Sequence, residues 1–431
     1  MTGCVSPLSG AIGDQTLLYT AHELNRAWLT GASAWASAGV EMLGHPMMPM
    51  DPFGIASMLS SALEVFAHAA APRGKPAFDI EAVTVDGKSY PVTEAIVVHR
   101  AFGNLLRFSH TGLPEGAPKL LIVAPMSGHF ATLLRGTLAR MLERAEVFIT
   151  DWHDAREVPL AAGKFTLDDY IDELIRFLEH IGPDAHMMAV CQPSVPALAA
   201  TALMNADRHA CRPLTLTMMG GPVDTREAPT SVNDVATQRA HSWFKNNVIA
   251  TVPLSYPGGG RKVYPGFLQL AGFMAMNLQS HLQSHYQMYQ HLVEGDGESA
   301  DATKAFYDEY RSTCDLHADY YLQTIDHVFQ QHSLPRGLFF HGDRKVDIGA
   351  ITDTALLAIE GENDDISGIG QTRAALKLAT GLSESRKQYY LAAEVGHYGI
   401  FNGSKWRGKI APVVEAWMQK HASRKQLKVA A

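Results

Sequence analysis

The sequence is short of cysteine, has no surplus of positive charge, and contains no long uninterrupted apolar run. Cysteine occurs only at Cys4, Cys191, Cys211 and Cys314, spacings that suit neither a zinc site nor a disulfide framework. Lysine and arginine together number 36 against 44 acidic residues, a net charge of −8. The basic footprint of a nucleic-acid-binding protein is therefore missing, and no nucleic-acid partner is expected. No window of about 18 purely apolar residues exists, so no membrane span is expected. The opening MTGCVSPLSGAIGDQ lacks the basic start and apolar stretch of a secretory signal. A cytoplasmic, reducing location is the expectation. Internal repeats, low-complexity linkers and any G-x-S-x-G are also missing. What is present is 431 residues that are 46% hydrophobic, enough to bury a sizeable core.

Residues 16–42 and 55–69 have helical patterning, and the proline-rich HPMMPMDP at 45–52 separates them. Residues 1–76 are thus expected to be an N-terminal helical extension. The period then changes. EAVTVDGKSYPV (81–92) alternates around Asp86-Gly87, a favoured two-residue hairpin signal. Strand and helix alternate from there: KLLIVAP, a helix over 132–145, EVFIT, a helix over 167–182, HMMAV, a helix over 194–206, then LTLTMMG. This rhythm predicts an α/β fold, a mostly parallel sheet with helices on both faces. It breaks over 224–350, where residues 263–293 carry no Asp, Glu, Lys or Arg. It resumes with TALLAIE, a helix over 370–380, QYYLAAE and a last helix near 404–421. The expected division is a core of 77–223 and 351–422, an inserted helical cap of 224–350, and a frayed tail of 423–431.

The sharpest local feature is MMAVCQPSVPALAA (188–201). An apolar strand runs into Cys191 and at once into a helix, the layout of a nucleophile elbow. A helix start offers backbone N–H groups and a positive dipole end to a thiolate and to a developing oxyanion. The competing reading of Cys191 is a buried core thiol. The order of the other groups favours the elbow. Asp364 follows a buried strand in EGENDDISG, with Asp365 as the neighbouring alternative, and His397 follows the next strand in EVGHYGIF. Nucleophile, acid and base in that order suit the hydrolase sheet. The oxyanion hole would use the Gln192 N–H and one from Met126 or Ser127 in the loop after KLLIVAP.

These segments, with VFITDWHDAREVPL (147–160), MGGPVDTR (219–226) and GHYGIFNGSKW, resemble the intracellular poly(3-hydroxybutyrate) depolymerases. That family comprises cysteine-type relatives of the α/β-hydrolases and is also similar to the polyhydroxyalkanoate synthases. The V-C-Q-P box fits it better than the G-x-C-x-G of the synthases. The resemblance spans about Leu17 to Lys420 and implies an α/β-hydrolase fold with the triad Cys191, Asp364 and His397. It implies a carboxylic ester hydrolase that cleaves the polyester through an acyl-cysteine and releases 3-hydroxybutyrate or its oligomers. The partner would be the polymer granule surface, which would also fix the location in the cytoplasm. A synthase-like acyltransferase and a non-catalytic granule-binding protein are the alternatives.

Lesser signals remain. His281 and His285 stand four apart, but no acidic base lies between them and no third ligand is evident, so neither metal nor cofactor is expected. Tyr264 and Phe267 belong to an aromatic-rich and methionine-rich stretch that could take an apolar chain. Together with His129 and Trp152 they are the substrate-binding candidates. The chain leaves room for a homo-oligomer.

Overall fold

The computed structural model describes residues 15–43, 45, 55–276, 278–294 and 296–423. The apolar runs that alternate with helices become nine strands of one sheet. They are β1 (Ala82–Val85), β2 (Lys88–His99), β3 (Gly103–His110), β4 (Lys119–Val123), β5 (Glu146–Trp152), β6 (Ala185–Val190), β7 (Thr215–Met219), β8 (Ala355–Gly361) and β9 (Lys387–Ala392). Their spatial order is β1-β2-β3-β5-β4-β6-β7-β8-β9. The first three strands are antiparallel to their neighbours. From β5 to β9 every pairing is parallel. The β1–β2 turn places Asp86 and Gly87 at φ 51° and 81°, the left-handed pair that a tight hairpin needs.

Alternate residues of the central strands feed two cores, as the period of two requires. Leu121 and Val123 join the cluster under the helices α4 (Leu167–Ile181) and α5 (Ser194–Ala206). Leu120 and Ile122 join the opposite cluster, with α3 (Arg135–Leu142) and the final helix Ala411–Lys420. Helix α4 starts where predicted because Thr166 and Asp169 form a capping box. The chain leaves β4 for β5 on one side and returns to β6 on the other. The sheet's switch point, where open α/β sheets bind ligands, therefore lies between the carboxyl ends of β4 and β6. With β1 set aside, this strand order and the crossovers are those of an α/β-hydrolase.

Helices α1 (Gln15–Leu43) and α2 (Ile55–Ala70) pack on each other, and α1 also rests on the short strand Ala250–Thr251. Between β7 and β8 the chain forms α6 (Ser231–Thr237), α7 (His241–Asn247), α8 (Gly266–Met276), α9 (Leu278–Glu294), α10 (Gly297–Arg311) and α11 (Ala318–Thr324). This stretch departs from a purely helical reading: Ala250–Thr251, Lys262–Tyr264 and Leu316–His317 make a three-stranded antiparallel sheet. Strands of two or three residues are too short to leave a periodic trace. Among the described residues, no helix is long and apolar enough to cross a membrane. Residues 1–14 and 424–431, which hold most of the expected tail, lie outside the described residues.

Candidate active site

Cys191 lies directly after β6, at φ 66°. A non-glycine residue in that left-handed region is held there by its surroundings. Its N–H donates to the Met219 carbonyl at 2.7 Å, and its own carbonyl accepts from the Ser194 N–H at 3.1 Å. The strand before and the helix after thus fix a sharp turn that presents the thiol. The turn leaves no room opposite: a Cβ built on Gly221 would lie 2.0 Å from Ser194 Oγ, and one on Gly220 3.1 Å from His397 Cε1. Those two glycines follow β7 and let the adjacent segment approach the elbow.

Asp364 lies in the loop after β8, and His397 in the 3₁₀ turn His397–Ile400 after β9. Parallel pairing of β8 with β9 brings the two loops together. His397 Nδ1 lies 2.8 Å from Asp364 Oδ2, and both side chains are buried. The second carboxylate oxygen, Oδ1, accepts from the N–H groups of Ile366 and Ser367 at 2.9 and 2.8 Å. Asp365 is exposed one residue further on. Burial disfavours a charged His397. The Cys191 sulfur and the Asp364 carboxylate, by charge and hydrogen bond, outweigh that and hold the imidazole well above its usual 6.5. The arrangement can keep a proton on His397 beside the Cys191 sulfur.

A cavity of about 360 Å³ opens over these groups. Its floor is Pro125, Met126, Ser127, Cys191, Gln192 and His397, and Phe244, Tyr264, Tyr320 and Phe329 of the β7–β8 insertion form its walls. The Met126 N–H donates to Gln192 Oε1 at 3.2 Å, while Gln192 Nε2 donates to the Tyr320 hydroxyl. An amide oxygen therefore already stands at one of the two expected oxyanion donors. Tyr320 stacks on Tyr170 with centroids 5.4 Å apart. Sequence reasoning missed Tyr320, since nothing in DYYLQT marks a residue that reaches an elbow 128 positions away.

The structure separates the other candidates. His129 lines the cavity, but its Nε2 lies 3.0 Å from the Tyr310 carbonyl. A carbonyl only accepts, so that nitrogen carries the proton. Burial lowers the ring's pKa to about 4, which leaves it neutral. Tyr264 lines the cavity and stacks on Tyr321 at 4.0 Å. Trp152 does not reach it, a correction to the expectation. As the last residue of β5 it points into the core, 3% exposed, with Nε1 donating to the Ala124 carbonyl at 3.0 Å. Phe267 is the second correction: it packs on Tyr19 and stacks on His22 at 3.9 Å, anchoring α1 away from the cavity. The His281 side chain lies outside the described residues, and His285 sits against the Tyr307 ring. Among the described residues no group of His, Cys, Asp and Glu could hold a metal.

Residues 220–422 match the family model described as PHB de-polymerase C-terminus. No curated protein matches the chain. Among solved structures, a thermophilic esterase from Thermogutta terrifontis is similar at 12% identity over 79% of this chain and 97% of that one, with a TM-score of 0.40. A monoacylglycerol lipase from Paleococcus ferrophilus is similar at 10% identity over 74% and 99%, TM-score 0.43. A meta-cleavage product hydrolase from Pseudomonas fluorescens is similar at 13% identity over 79% and 97%, TM-score 0.40. The strand order described above, rather than these distant likenesses, identifies the fold.

Proposed function

We propose that this chain, which carries a PHB depolymerase C-terminal domain over residues 220–422 on an α/β-hydrolase fold and is thus of ester-hydrolase type, cleaves poly(3-hydroxybutyrate) by covalent catalysis at Cys191. The observation that carries the reading is the continuous chain of contacts from Cys191 through His397 to Asp364 beneath a mostly apolar cavity. His397 takes the thiol proton, and the thiolate adds to an ester carbonyl. The Gln192 N–H, with that of Met126 or Ser127, receives the oxyanion once the Gln192 side chain swings off Met126. His397 then protonates the departing 3-hydroxyl oxygen, while Asp364 fixes the ring's tautomer and orientation. Water, activated by the same imidazole, adds to the thioester. The carboxylic acid leaves, and the proton returns to Cys191.

The insertion of residues 224–350 acts in this reading as the cap that shapes the polyester channel, with residues 1–76 as an appended extension. A cytoplasmic granule surface is the site of action. The test is acid release from amorphous 3-hydroxybutyrate polymer by the wild type and by Cys191→Ala, with polymer binding scored in parallel. Release should vanish while binding persists. Release unchanged in Cys191→Ala would sink the reading. Polymer made from the acyl-CoA would mark a synthase-like transferase instead.

A further inference from the structure

A second cavity, about 160 Å³, lies where α1, the end of α2, α8, the end of α10 and the loop after β5 meet. It shares no lining residue with the first. Four arginines line it, Arg26, Arg73, Arg156 and Arg311, against two acids, Glu23 and Asp315.

The acids are already engaged. Asp315 accepts from the Tyr19 hydroxyl at 2.5 Å and the Gly266 N–H at 2.9 Å. Glu23 accepts from the Tyr256 hydroxyl at 2.7 Å and stands 3.9 Å from both Arg26 and Arg156. Two of the arginines are likewise committed. Arg156 pairs with Asp154 at 3.0 Å. Arg73 pairs with Asp308 at 2.8 Å and donates to the Ala71 and His68 carbonyls. Arg26 reaches only the Arg73 carbonyl, at 3.5 Å, besides the distant Glu23.

The Arg311 side chain, at the end of α10, has no hydrogen bond or ion pair among the described residues. Burial, and then the like charge of Arg73, pull its guanidinium below its ordinary pKa. The acid nearest in effect, Asp308, attracts it but already pairs with Arg73 and His68. A half-buried cation so weakly compensated is costly to keep, and a guanidinium fork matches the oxygens of a carboxylate or phosphate.

We propose that this cavity binds a small oxyanion, of carboxylate or phosphate type, through Arg311 and Arg26. The bound anion would draw α1, α2 and α10 together. The site is independent of the polyester reading, because the two cavities have no residue in common.

The test melts the full chain in chloride, inorganic phosphate and 3-hydroxybutyrate at matched ionic strength. Phosphate, 3-hydroxybutyrate or both should raise Tm saturably, by roughly 2 to 4 °C near saturation, over chloride. The rise should persist in Cys191→Ala and disappear in Arg311→Met. Arg311→Met in chloride should melt at or above the wild type, since it removes an unpaired charge. A response to one anion alone identifies which oxyanion type the site takes. No response to either, an equal response in Arg311→Met, or that variant melting well below the wild type in chloride would overturn the proposal.

Discussion

At the scale of single residues, the chemistry of the site turns on where protons sit. Asp364 is one of the groups that hold His397 above its ordinary pKa. Asp364→Asn removes a negative charge and should move the alkaline limb of kcat/KM to lower pH, because the imidazolium then loses its proton earlier. The loss of rate should be on the order of a hundredfold or more, given what misorienting a triad histidine does. A pH–rate profile checks this, and an unmoved limb would show that Asp364 does not govern His397. The sign for stability is parallel. A raised histidine pKa stabilises the folded chain fully below the unfolded value near 6.5, and that contribution fades as pH climbs through the folded pKa. Trp152 gives the contrasting case. Trp152→Phe keeps most of the apolar bulk but deletes the donor to the Ala124 carbonyl, which the Tyr170 hydroxyl still reaches at 3.2 Å. It should cost about 1 kcal/mol in denaturant unfolding and leave KM unchanged. A raised KM with unchanged stability would return Trp152 to the substrate site.

At the scale of elements, local chemistry made much of the fold legible in the sequence, and its limits are physical too. Asp86-Gly87 named a hairpin because few dipeptides tolerate two left-handed residues. The apolar runs named buried parallel strands, and the helix expected over 167–182 is the one observed at Leu167–Ile181. The elbow was legible because a strand, a cysteine and a helix follow one another without a spacer. Other features left no local trace. The expected last helix near 404–421 is continuous over 403–420, but its π-helical stretch at Trp406–Ile410 is not announced by a 3.6-residue period. Trp152 and Phe267 were misassigned for a shared reason: an aromatic beside a functional loop reads the same whether it faces ligand or core. Only the pleat of β5 and the docking of α1 decide between the two.

At the scale of the whole molecule, α1, the loop after β5 and the insertion are tied by one buried network. The Tyr19 hydroxyl bonds Asp315, the Asp315 N–H donates to Asp154, and Asp154 pairs with Arg156. Burial, and then the neighbouring Asp315, push Asp154 up to about 7. Between the unfolded value near 4 and about 7 the folded state therefore binds the extra proton, and stability falls as pH rises through that window. Asp154→Asn keeps an oxygen acceptor but removes the titration, so the decline of Tm between pH 5 and 8 should flatten. An unchanged slope in a melting series would place the dependence elsewhere.

The central claim is that a covalent acyl group resides on Cys191 during ester cleavage, with His397 needed to release it. The most direct measurement is intact and peptide mass spectrometry after rapid quenching of wild type and His397→Ala with a 3-hydroxybutyrate oligomer or its activated ester. A 3-hydroxybutyryl adduct is expected on the Cys191 peptide, transient in the wild type with either substrate. In the variant the oligomer should leave none, while the activated ester, whose leaving group needs no proton, should acylate slowly and persist. Turnover with no adduct, or an adduct on any residue other than Cys191, would contradict it.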